Sequence, residues 1–435
     1  MYGNATDSSK DCVDNSHIKN SERCYESFWL DKDYRCFFTV RSMESSDLWF
    51  CRGCVGCNHC FGSVNLRNMS YCIYNQQYSK EEYDKKIMEM NLHTRSGLAK
   101  VRDQAREFWD TQPVKYHQGL KNLNCTGSYV TNSHNVSDSF LIREGENMKY
   151  CQYLQVPKNK DCYDATAWGE NMELNYETCL CGENSYNIKF SADCWPNLRD
   201  SEYCMTLFSC SDCFGCIGLK KKQYCILNKQ YTKEEYFKMV EKIKKHMDEM
   251  PYVDKKGRIY KYGEFFPIEL CPFGYNNTTA IQYFPMTKEN AEENDYPWIE
   301  IPRGEYKITL KTGELPDSIT DVTDKLLQEV IECENCKGPY RILENELSFY
   351  KKENLPIPAM CNDCRFNRRI QDRLKLELYE RTCMCAGATD QTKKYTNTAK
   401  HVHGDQPCNE IFKTGYSSDM PEMVYCEKCY QQEVY

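Results

Sequence analysis

The sequence predicts a mainly β protein with helices, in which two short β-solenoid modules, each closed by an amphipathic helix, precede two zinc-ribbon-like modules. Three observations support this fold class. A 24-residue segment occurs twice, cysteines recur at a spacing of twelve residues, and C-x2-C pairs lie near the C-terminus. A chain of 435 residues is also longer than a single hydrophobic core usually allows, which predicts several modules.

The composition limits the classes of protein to consider. Hydrophobic residues make up 40% and charged residues 28% of the chain, which is typical of a globular protein, but 29 Cys and 33 Tyr are unusually many. The net charge of -8 argues against a general affinity for nucleic acid or anionic membranes. MYGNATDSSK lacks the pattern of a signal peptide, and no apolar run is long enough to span a membrane. We therefore expect a cytoplasmic protein with no membrane contact.

Residues 1–78 are predicted to form the first solenoid module. Cysteines stand at positions Cys12, Cys24, Cys36, Cys60 and Cys72, with one member of the twelve-residue series missing. Short strands cannot bury a face alone, whereas strands stacked on one another make a continuous core. Because cysteine is small and often buried, a column of cysteines suits a narrow interior.

The 24-residue repeat is predicted to close each module. Its copies are Cys60–Tyr83 and Cys213–Tyr236, which are identical at 14 positions. Each copy ends in a capping box, Ser79-Lys-Glu-Glu82 or Thr232-Lys-Glu-Glu235, and apolar residues then follow at helical spacing. A helix folded over the last strand would cover its open edge. We expect a capping helix and helical spacer over 79–122, and a second capping helix over 232–262.

Residues 123–231 are predicted to form the second solenoid module. Short phrases that pair a small polar residue with Cys or an aromatic residue recur there every nine to fourteen residues, among them KYC, DCY, DCW, EYC and DCF. Asn, Asp, Gly and Ser fill the spaces between them, as they do in turns.

The run Cys51, Cys54, Cys57 and Cys60 has two interpretations. Its C-x2-C-x2-C-x2-C spacing is similar to that of iron–sulfur ligands, which would give a metal or thiol redox protein. In the second copy of the repeat, however, Leu207 stands in place of Cys54. Because a four-ligand cluster would not survive this exchange, we favour buried core thiols.

Residues 263–330 are predicted to connect the second solenoid to the tail, which we define as residues 331–435. Short strands are expected in this connector at PWIEI and EYKITL.

Residues 331–382 are predicted to form the first zinc module. Cys333, Cys336, Cys361 and Cys364 supply two C-x2-C pairs, and four thiolates in such turns bind Zn²⁺ tetrahedrally. This ligand set is typical of a structural zinc site.

Residues 383–435 are predicted to form the second zinc module, so that two zinc sites are expected in all. Cys426 and Cys429 form a clear C-x2-C pair. Five residues compete for the other two ligand positions: Cys383, Cys385, His401, His403 and Cys408. We favour Cys408, which precedes a predicted strand pair (EIFKTGY with MVYC), together with Cys385 or His403.

The segment RFNRRIQDRLKLELYER, residues 365–381, lies between the zinc modules. Six basic residues face three acidic ones in it. A solvated helix with i, i+4 ion pairs explains this composition, and an RNA-binding face beside the zinc modules is the alternative.

Several segments resemble a family of uncharacterised cysteine-rich zinc-ribbon proteins from candidate phyla radiation bacteria. They are CFGCIGLKKKQYCILNKQYTKEEY, LCPFGYNNTTA, YFPMT, LPDSITDV, the block from Cys333 to Cys364, and TGYSSDMPEMVYCEKCYQQEV. The resemblance implies zinc binding but no established activity. Some members carry a CoA-transferase (Caib/baif) label, which no acidic nucleophile motif or phosphate-binding glycine loop in this sequence supports.

The sequence thus predicts a non-enzymatic zinc-binding scaffold or interaction protein with a protein partner. The two alternatives are an RNA-binding protein that uses the zinc modules and residues 365–381, and a redox protein that uses Cys51–Cys60.

Overall fold

The computed structural model describes residues 1–300 and 306–435. Strands take up 32% and helices 22% of the chain. The predicted class, mainly β with helices, is therefore confirmed.

The first stack, residues 4–77, consists of short strands that pair with the strand one coil further on. The strands are β1 (Asn4–Asp7), β2 (Ser16–Lys19), β3 (Phe28–Asp31), β4 (Val40–Met43), β5 (Ser46–Trp49), β6 (Asn58–Phe61), β7 (Ser70–Ile73) and β8 (Gln76–Gln77). β1 to β4 form one sheet and β5 to β8 another. The parallel pairs join residues twelve positions apart, such as Ser16 with Phe28. One coil of the first stack is therefore twelve residues long.

Each coil has a three-residue rhythm instead of the two-residue alternation of ordinary strands. Asn20, Arg23 and Glu26 have positive φ angles, and the residue after each of them is buried inside the stack. Positive φ favours Asn, Asp and Gly over other residues. Asn20, Asn65 and Asn68 follow this preference, whereas Arg23 and Glu26 show that the stack also holds other residues in this conformation.

Hydrogen bonds explain which residues face inward. One residue of each triplet donates its backbone N–H to a carbonyl of the next coil, as Lys10 does to Ser21. Another donates its N–H to a carbonyl of the previous coil, as Arg23 does to Lys10. The N–H of several inward residues instead donates to a side chain twelve positions earlier. Thr39 N–H, for example, donates to Ser27 Oγ at 3.1 Å. Small side chains with an acceptor atom therefore suit the inward positions.

The cysteine column follows the same rule. Cys24 N–H donates to Cys12 Sγ at 3.4 Å, and Cys60 lies opposite Cys72 in the strand register. Leu48 fills the position where the series lacks a cysteine, and it is fully buried opposite Cys60. The missing member is thus replaced by an apolar side chain in the same column.

Two helices follow the first stack, α1 (Lys80–Glu89) and α2 (Arg95–Trp109). The capping box predicted at Ser79 is present, because Ser79 Oγ accepts the Glu82 N–H while the Glu82 carboxylate accepts the Ser79 N–H. Tyr83 is buried in the same cluster as Ile73 of β7. The break between the two helices lies after Glu89 and before Thr94, which caps α2, and Gly97 lies inside α2.

The short strand β9 (Pro113–Lys115) leads into the second stack, residues 119–230. Its strands are β10 (Gly119–Leu120), β11 (Gly127–Thr131), β12 (His134–Ser137), β13 (Ser139–Arg143), β14 (Gly145–Lys149), β15 (Gln152–Val156), β16 (Asn159–Lys160), β17 (Tyr163–Gly169), β18 (Tyr176–Gly182), β19 (Tyr186–Cys194), β20 (Arg199–Glu202), β21 (Ser211–Phe214), β22 (Gln223–Ile226) and β23 (Lys229–Gln230). They form one sheet whose neighbours are parallel until β22 pairs antiparallel with β23.

The second stack is followed by α3 (Lys233–Glu249), which starts at a capping box on Thr232. Tyr236 of α3 packs with Phe214 of β21 and Ile226 of β22, and Val240 packs partly buried against them. The helix therefore covers the apolar end of the second stack.

The remaining elements are short. They are β24 (Tyr252–Val253), β25 (Ile259–Tyr260), α4 (Ala280–Tyr283), α5 (Lys288–Glu293), β26 (Ile331–Glu332), β27 (Pro339–Tyr340), α6 (Glu344–Glu353), α7 (Asn362–Ile370), β28 (Tyr379–Thr382), β29 (Ile411–Thr414), β30 (Met423–Tyr425) and α8 (Glu427–Val434). Five single-turn or slightly longer 3-10 helices lie among the described connector residues: Ile268–Leu270, Tyr275–Asn277, Thr312–Glu314, Ile319–Asp321 and Asp324–Gln328.

The strands predicted in the connector are wrong where the structure describes them. Pro297–Glu300 of PWIEI is not a strand, because Ile299 bonds to the side chain of Asn276 through both its N–H and its carbonyl. Residue 301 of PWIEI and residue 305 of EYKITL lie outside the described residues. The rest of EYKITL makes only a single bridge, between Leu310 and Ile331.

The predicted pairing of EIFKTGY with MVYC is also wrong. β29 pairs with β28, whereas β30 pairs in parallel with β9, far away in the sequence. Met423, Val424 and Tyr425 of β30 are all buried, so this strand needs a partner inside the molecule. β9 supplies that partner beside the first stack.

The predicted helix over 365–381 ends early, at Ile370. The chain then turns toward the second stack, where Leu374 N–H donates to the Tyr129 hydroxyl at 3.0 Å. Three of its arginines, Arg365, Arg369 and Arg373, are buried instead of solvated. Arg365 forms ion pairs with Asp14 at 2.8 Å and with Glu346 at 3.0 Å, and Arg369 lies 3.4 Å from Asp14. These side chains fasten α7 to the first stack and do not present a free basic surface.

We predict that loss of one inward hydroxyl destabilises its stack. Ser139 Oγ donates to the Ser137 carbonyl and accepts the Cys151 N–H, and its side chain is fully buried. Ser139→Ala leaves that N–H without its acceptor and should cost about 1–3 kcal/mol of unfolding free energy in urea melts. Ser137→Ala, two residues away on the same coil, is the control. Equal midpoints for the two variants would contradict the inward hydrogen-bond rule.

We also predict that the tail depends on Asp14. Asp14→Asn keeps a side chain that tolerates the positive φ of 55° but removes the anion from Arg365 and Arg369, so it should cost about 3–5 kcal/mol. Asp11→Asn, at an exposed positive-φ position one triplet earlier, should leave the urea midpoint unchanged. Equal urea midpoints for Asp14→Asn and Asp11→Asn would show that these ion pairs do not stabilise the tail.

Candidate metal centres

Among the described residues, three groups of Cys and His bring their ligand atoms within 4.8 Å of one another. Group one is Cys333, Cys336, Cys361 and Cys364. Group two is Cys383, Cys408, Cys426 and Cys429, and group three is Cys385, His401, His403 and Cys429. All three groups lie in the tail, and the last two share Cys429.

Group one joins a hairpin to a helix. Cys333 follows β26 and Cys336 lies in the turn before β27, while Cys361 caps α7 and Cys364 lies in its first turn. The sulfurs of Cys336 and Cys361 are 3.8 Å apart. The four residues that the sequence predicts as the first zinc site are therefore gathered as expected from two C-x2-C turns.

Hydrogen bonds support negative charge on the sulfurs of group one. Cys361 N–H donates to Cys333 Sγ at 3.2 Å, and the Asn335 side-chain amide donates to Cys364 Sγ at 3.4 Å. Burial opposes ionisation of Cys333, but backbone N–H donors outweigh it and lower the pKa of this thiol to about 7. The thiolate is the form that binds metal.

Group two joins three segments of the last module. Cys383 follows β28, Cys408 precedes β29, and Cys426 and Cys429 lie at the start of α8. The sulfurs of Cys408 and Cys426 are 3.9 Å apart, and Cys426 N–H donates to Cys383 Sγ at 3.2 Å. The β28–β29 pairing is what brings Cys383 and Cys408 together at one end of the ribbon.

Group three is built by the loop between β28 and β29. Cys385 Sγ lies 3.1 Å from His401 Nδ1, and Cys429 Sγ lies 3.3 Å from His403 Nε2. Hydrogen bonding with Cys429 is the main cause that lowers the pKa of Cys385 to about 5, and the two histidines add to it. The loop thus folds back onto the first turn of α8.

The prediction of one site in residues 383–435 differs from this arrangement. Cys385 and His403, proposed as companions of Cys408, lie in group three, and Cys408 lies in group two. Cys383 and His401 are outside the favoured set, yet each belongs to a group. The alternating pair Cys383-Met-Cys385 is the signal that could have revealed two groups, since its two cysteines belong to different groups.

The Cys51–Cys60 run does not belong to any of the groups found in residues 1–300 and 306–435. All four thiols are buried, and each donates to a backbone carbonyl two positions earlier, as Cys51 does to Trp49 at 3.5 Å. Cys51 also donates to the carbonyl of Cys60, nine positions later, at 3.3 Å. Ser27 in the same stack makes the same two bonds, to the carbonyl two positions earlier and to the carbonyl nine positions later.

Neither a protein-family model nor a curated protein matches this chain. Within the described residues, no helix combines the length and the apolar character that a membrane crossing requires. The chemistry of the groups must therefore be judged from their own residues. Four ligands rich in thiolate, with one or more buried sulfurs in each group, are typical of structural metal sites, whereas catalytic zinc keeps a position open for water.

We predict that Cys333→Ser releases the metal bound by group one, because a hydroxyl is a much poorer ligand than a thiolate for a soft, thiolate-bound ion. Metal per chain, measured by inductively coupled plasma mass spectrometry, should fall by one equivalent. Cys271→Ser removes an exposed cysteine outside all three groups and serves as the control. Equal metal content in the two variants would show that group one binds none.

Proposed function

We propose that this chain is a non-enzymatic zinc-binding scaffold, in which the two stacks are β-solenoids and zinc holds the tail in its folded form. The observation that carries the proposal is the set of three closed, thiolate-rich groups in one tail. Tetrahedral sets of four cysteines, or of two cysteines with two histidines, favour zinc among the common metals.

The position of the groups supports a structural role for the metal. Each group connects segments that are distant in sequence: Cys333 with Cys361, and Cys383 with Cys426. The regular elements between them are short, such as the two-residue strands β26 and β27, and small modules of this kind draw folding free energy from their metal. Zinc would therefore fix the surfaces through which the tail contacts the first stack.

The second stack offers the surface that we assign to a protein partner. Tyr150 and Tyr163 are 44% and 41% exposed, and their rings lie 5.3 Å apart at successive coils. Beside them Asn135 donates to Asn147 at 3.1 Å, and Asn147 donates to Asp161 at 3.0 Å. Regular rows of aromatic and amide side chains are typical of the binding faces of repeat proteins.

The alternatives have less support. RNA binding through residues 365–381 would need the arginines that are paired with Asp14 and Glu346 inside the molecule. Redox chemistry at Cys51–Cys60 would need thiols that instead bond to backbone carbonyls. The resemblance to zinc-ribbon proteins of candidate phyla radiation bacteria and a cytoplasmic location are parts of the same proposal.

We predict that chelation loosens the tail before the stacks. The full chain, purified with its zinc, is treated with a strong zinc chelator and then with a protease at low concentration. Cleavage sites should appear first within residues 331–435, because the metal supplies folding free energy there. The second stack should remain intact, and restoring zinc should restore protection.

Two results would contradict this function. Iron or no metal in the purified chain would rule out zinc as the resident ion. Simultaneous cleavage of the tail and both stacks after chelation would show that zinc does not act on the tail in particular.

A further inference from the structure

We infer that groups two and three form a single dinuclear zinc centre in which Cys429 Sγ bridges the two ions. The inference rests on the proposed zinc binding and adds the number and connection of the ions. Seven side chains take part, listed here by group: Cys383, Cys408 and Cys426; Cys385, His401 and His403; and the shared Cys429.

The count of ligands argues for two ions. A tetrahedral zinc ion takes four ligands, so a single ion would leave three of the seven side chains without one. Two separate ions would need eight ligands. Seven ligands complete two tetrahedra only when one of them serves both ions, and Cys429 is the residue that both groups contain.

The surroundings of Cys429 fit a bridging position. Its sulfur lies within 4.8 Å of the sulfurs of Cys383 and Cys426 in group two and of Cys385 in group three. It also lies 3.3 Å from His403 Nε2. A thiolate sulfur has more than one lone pair to offer, so it can bind an ion on each side. Cys429 is 1% exposed, so its sulfur is shielded from bulk water.

The charge of the site leads to the same result. The five cysteines carry five negative charges as thiolates, and the two histidines are neutral as metal ligands. Two Zn²⁺ ions would leave a net charge of about -1, so all five cysteines can bind as thiolates without a large uncompensated charge among largely buried sulfurs. With one Zn²⁺, the thiols that do not bind it would have to remain protonated and could not serve as ligands.

The two histidines are held in the orientation that a metal requires. His401 Nε2 lies 3.1 Å from the Glu433 carboxylate, so Nδ1 faces Cys385. Glu433 is itself fixed by the Thr398 N–H at 2.6 Å and the Tyr395 hydroxyl at 2.8 Å. His403 Nδ1 donates to the Gln406 carbonyl at 2.6 Å, so Nε2 faces Cys429. Partners of this kind set the tautomer and direction of ligating histidines.

Native mass spectrometry of the full zinc-loaded chain tests the inference by counting ions. We expect three zinc ions per wild-type chain and a loss of two in Cys429→Ser. Cys408→Ser should lose one. Cys361→Ser, in group one, should also lose one while keeping the pair, and it is the matched control for removing a cysteine.

Other counts have distinct meanings. Two ions in the wild type and a loss of one in Cys429→Ser would overturn the bridge but leave the proposed zinc function intact. A chain without zinc in any variant would overturn both proposals.

A measurement on the unaltered chain removes the risk that Cys429→Ser simply misfolds. In cadmium-substituted protein, proton–cadmium correlation NMR reports which cysteine binds which ion. The β-protons of one cysteine, Cys429, should correlate with two cadmium signals. If each cysteine correlates with one signal only, the centre is not bridged.

Discussion

The inward backbone N–H of each coil is the constraint on which both stacks depend. A residue with positive φ in every triplet turns this N–H toward the interior, where no backbone carbonyl meets it. At many coils the side chain one coil below accepts it, as Asn15 Oδ1 accepts from Ser27 at 2.9 Å and Ser201 Oγ from Cys213 at 3.1 Å. Because an unpaired buried N–H costs free energy, small acceptor side chains are favoured at the inward positions, which they share with apolar residues such as Leu30 and Leu48. This explains the abundance of Cys and Ser better than metal binding does.

The same cysteine side chain therefore has two uses in one chain. In the stacks, thiols donate to backbone carbonyls, as those of Cys51 and Cys54 do. Neighbouring cysteines of the chain follow one another around a coil. In the tail, thiols converge from separate elements until their sulfurs lie within 4.8 Å. β30 of the tail pairs with β9, and Arg365 and Arg369 of the tail pair with Asp14 of the first stack. The Cys and His groups and these buried ion pairs join elements that are distant in sequence.

The capping boxes at Ser79 and Thr232 and the twelve-residue spacing can be predicted from the sequence, because each depends on residues that are close in the chain. The residues of group one can be predicted because they form a strong C-x2-C pattern. The three-residue rhythm was missed, since it arises from backbone angles that few sequences adopt. The partner of β30 and the burial of Arg365 were missed because both depend on residues hundreds of positions away. Cys383 and His401 were not favoured because spacing alone does not show how a loop folds over α8.

X-ray absorption at the zinc edge tests most directly the claim that the tail holds closed structural zinc. The account predicts four-coordinate zinc with a shell dominated by sulfur, a minority of imidazole nitrogen and no bound water, as expected from the ligands of the three groups. A shell rich in oxygen, or a coordination number that leaves a position for water, would contradict it and would point to a catalytic or adventitious ion.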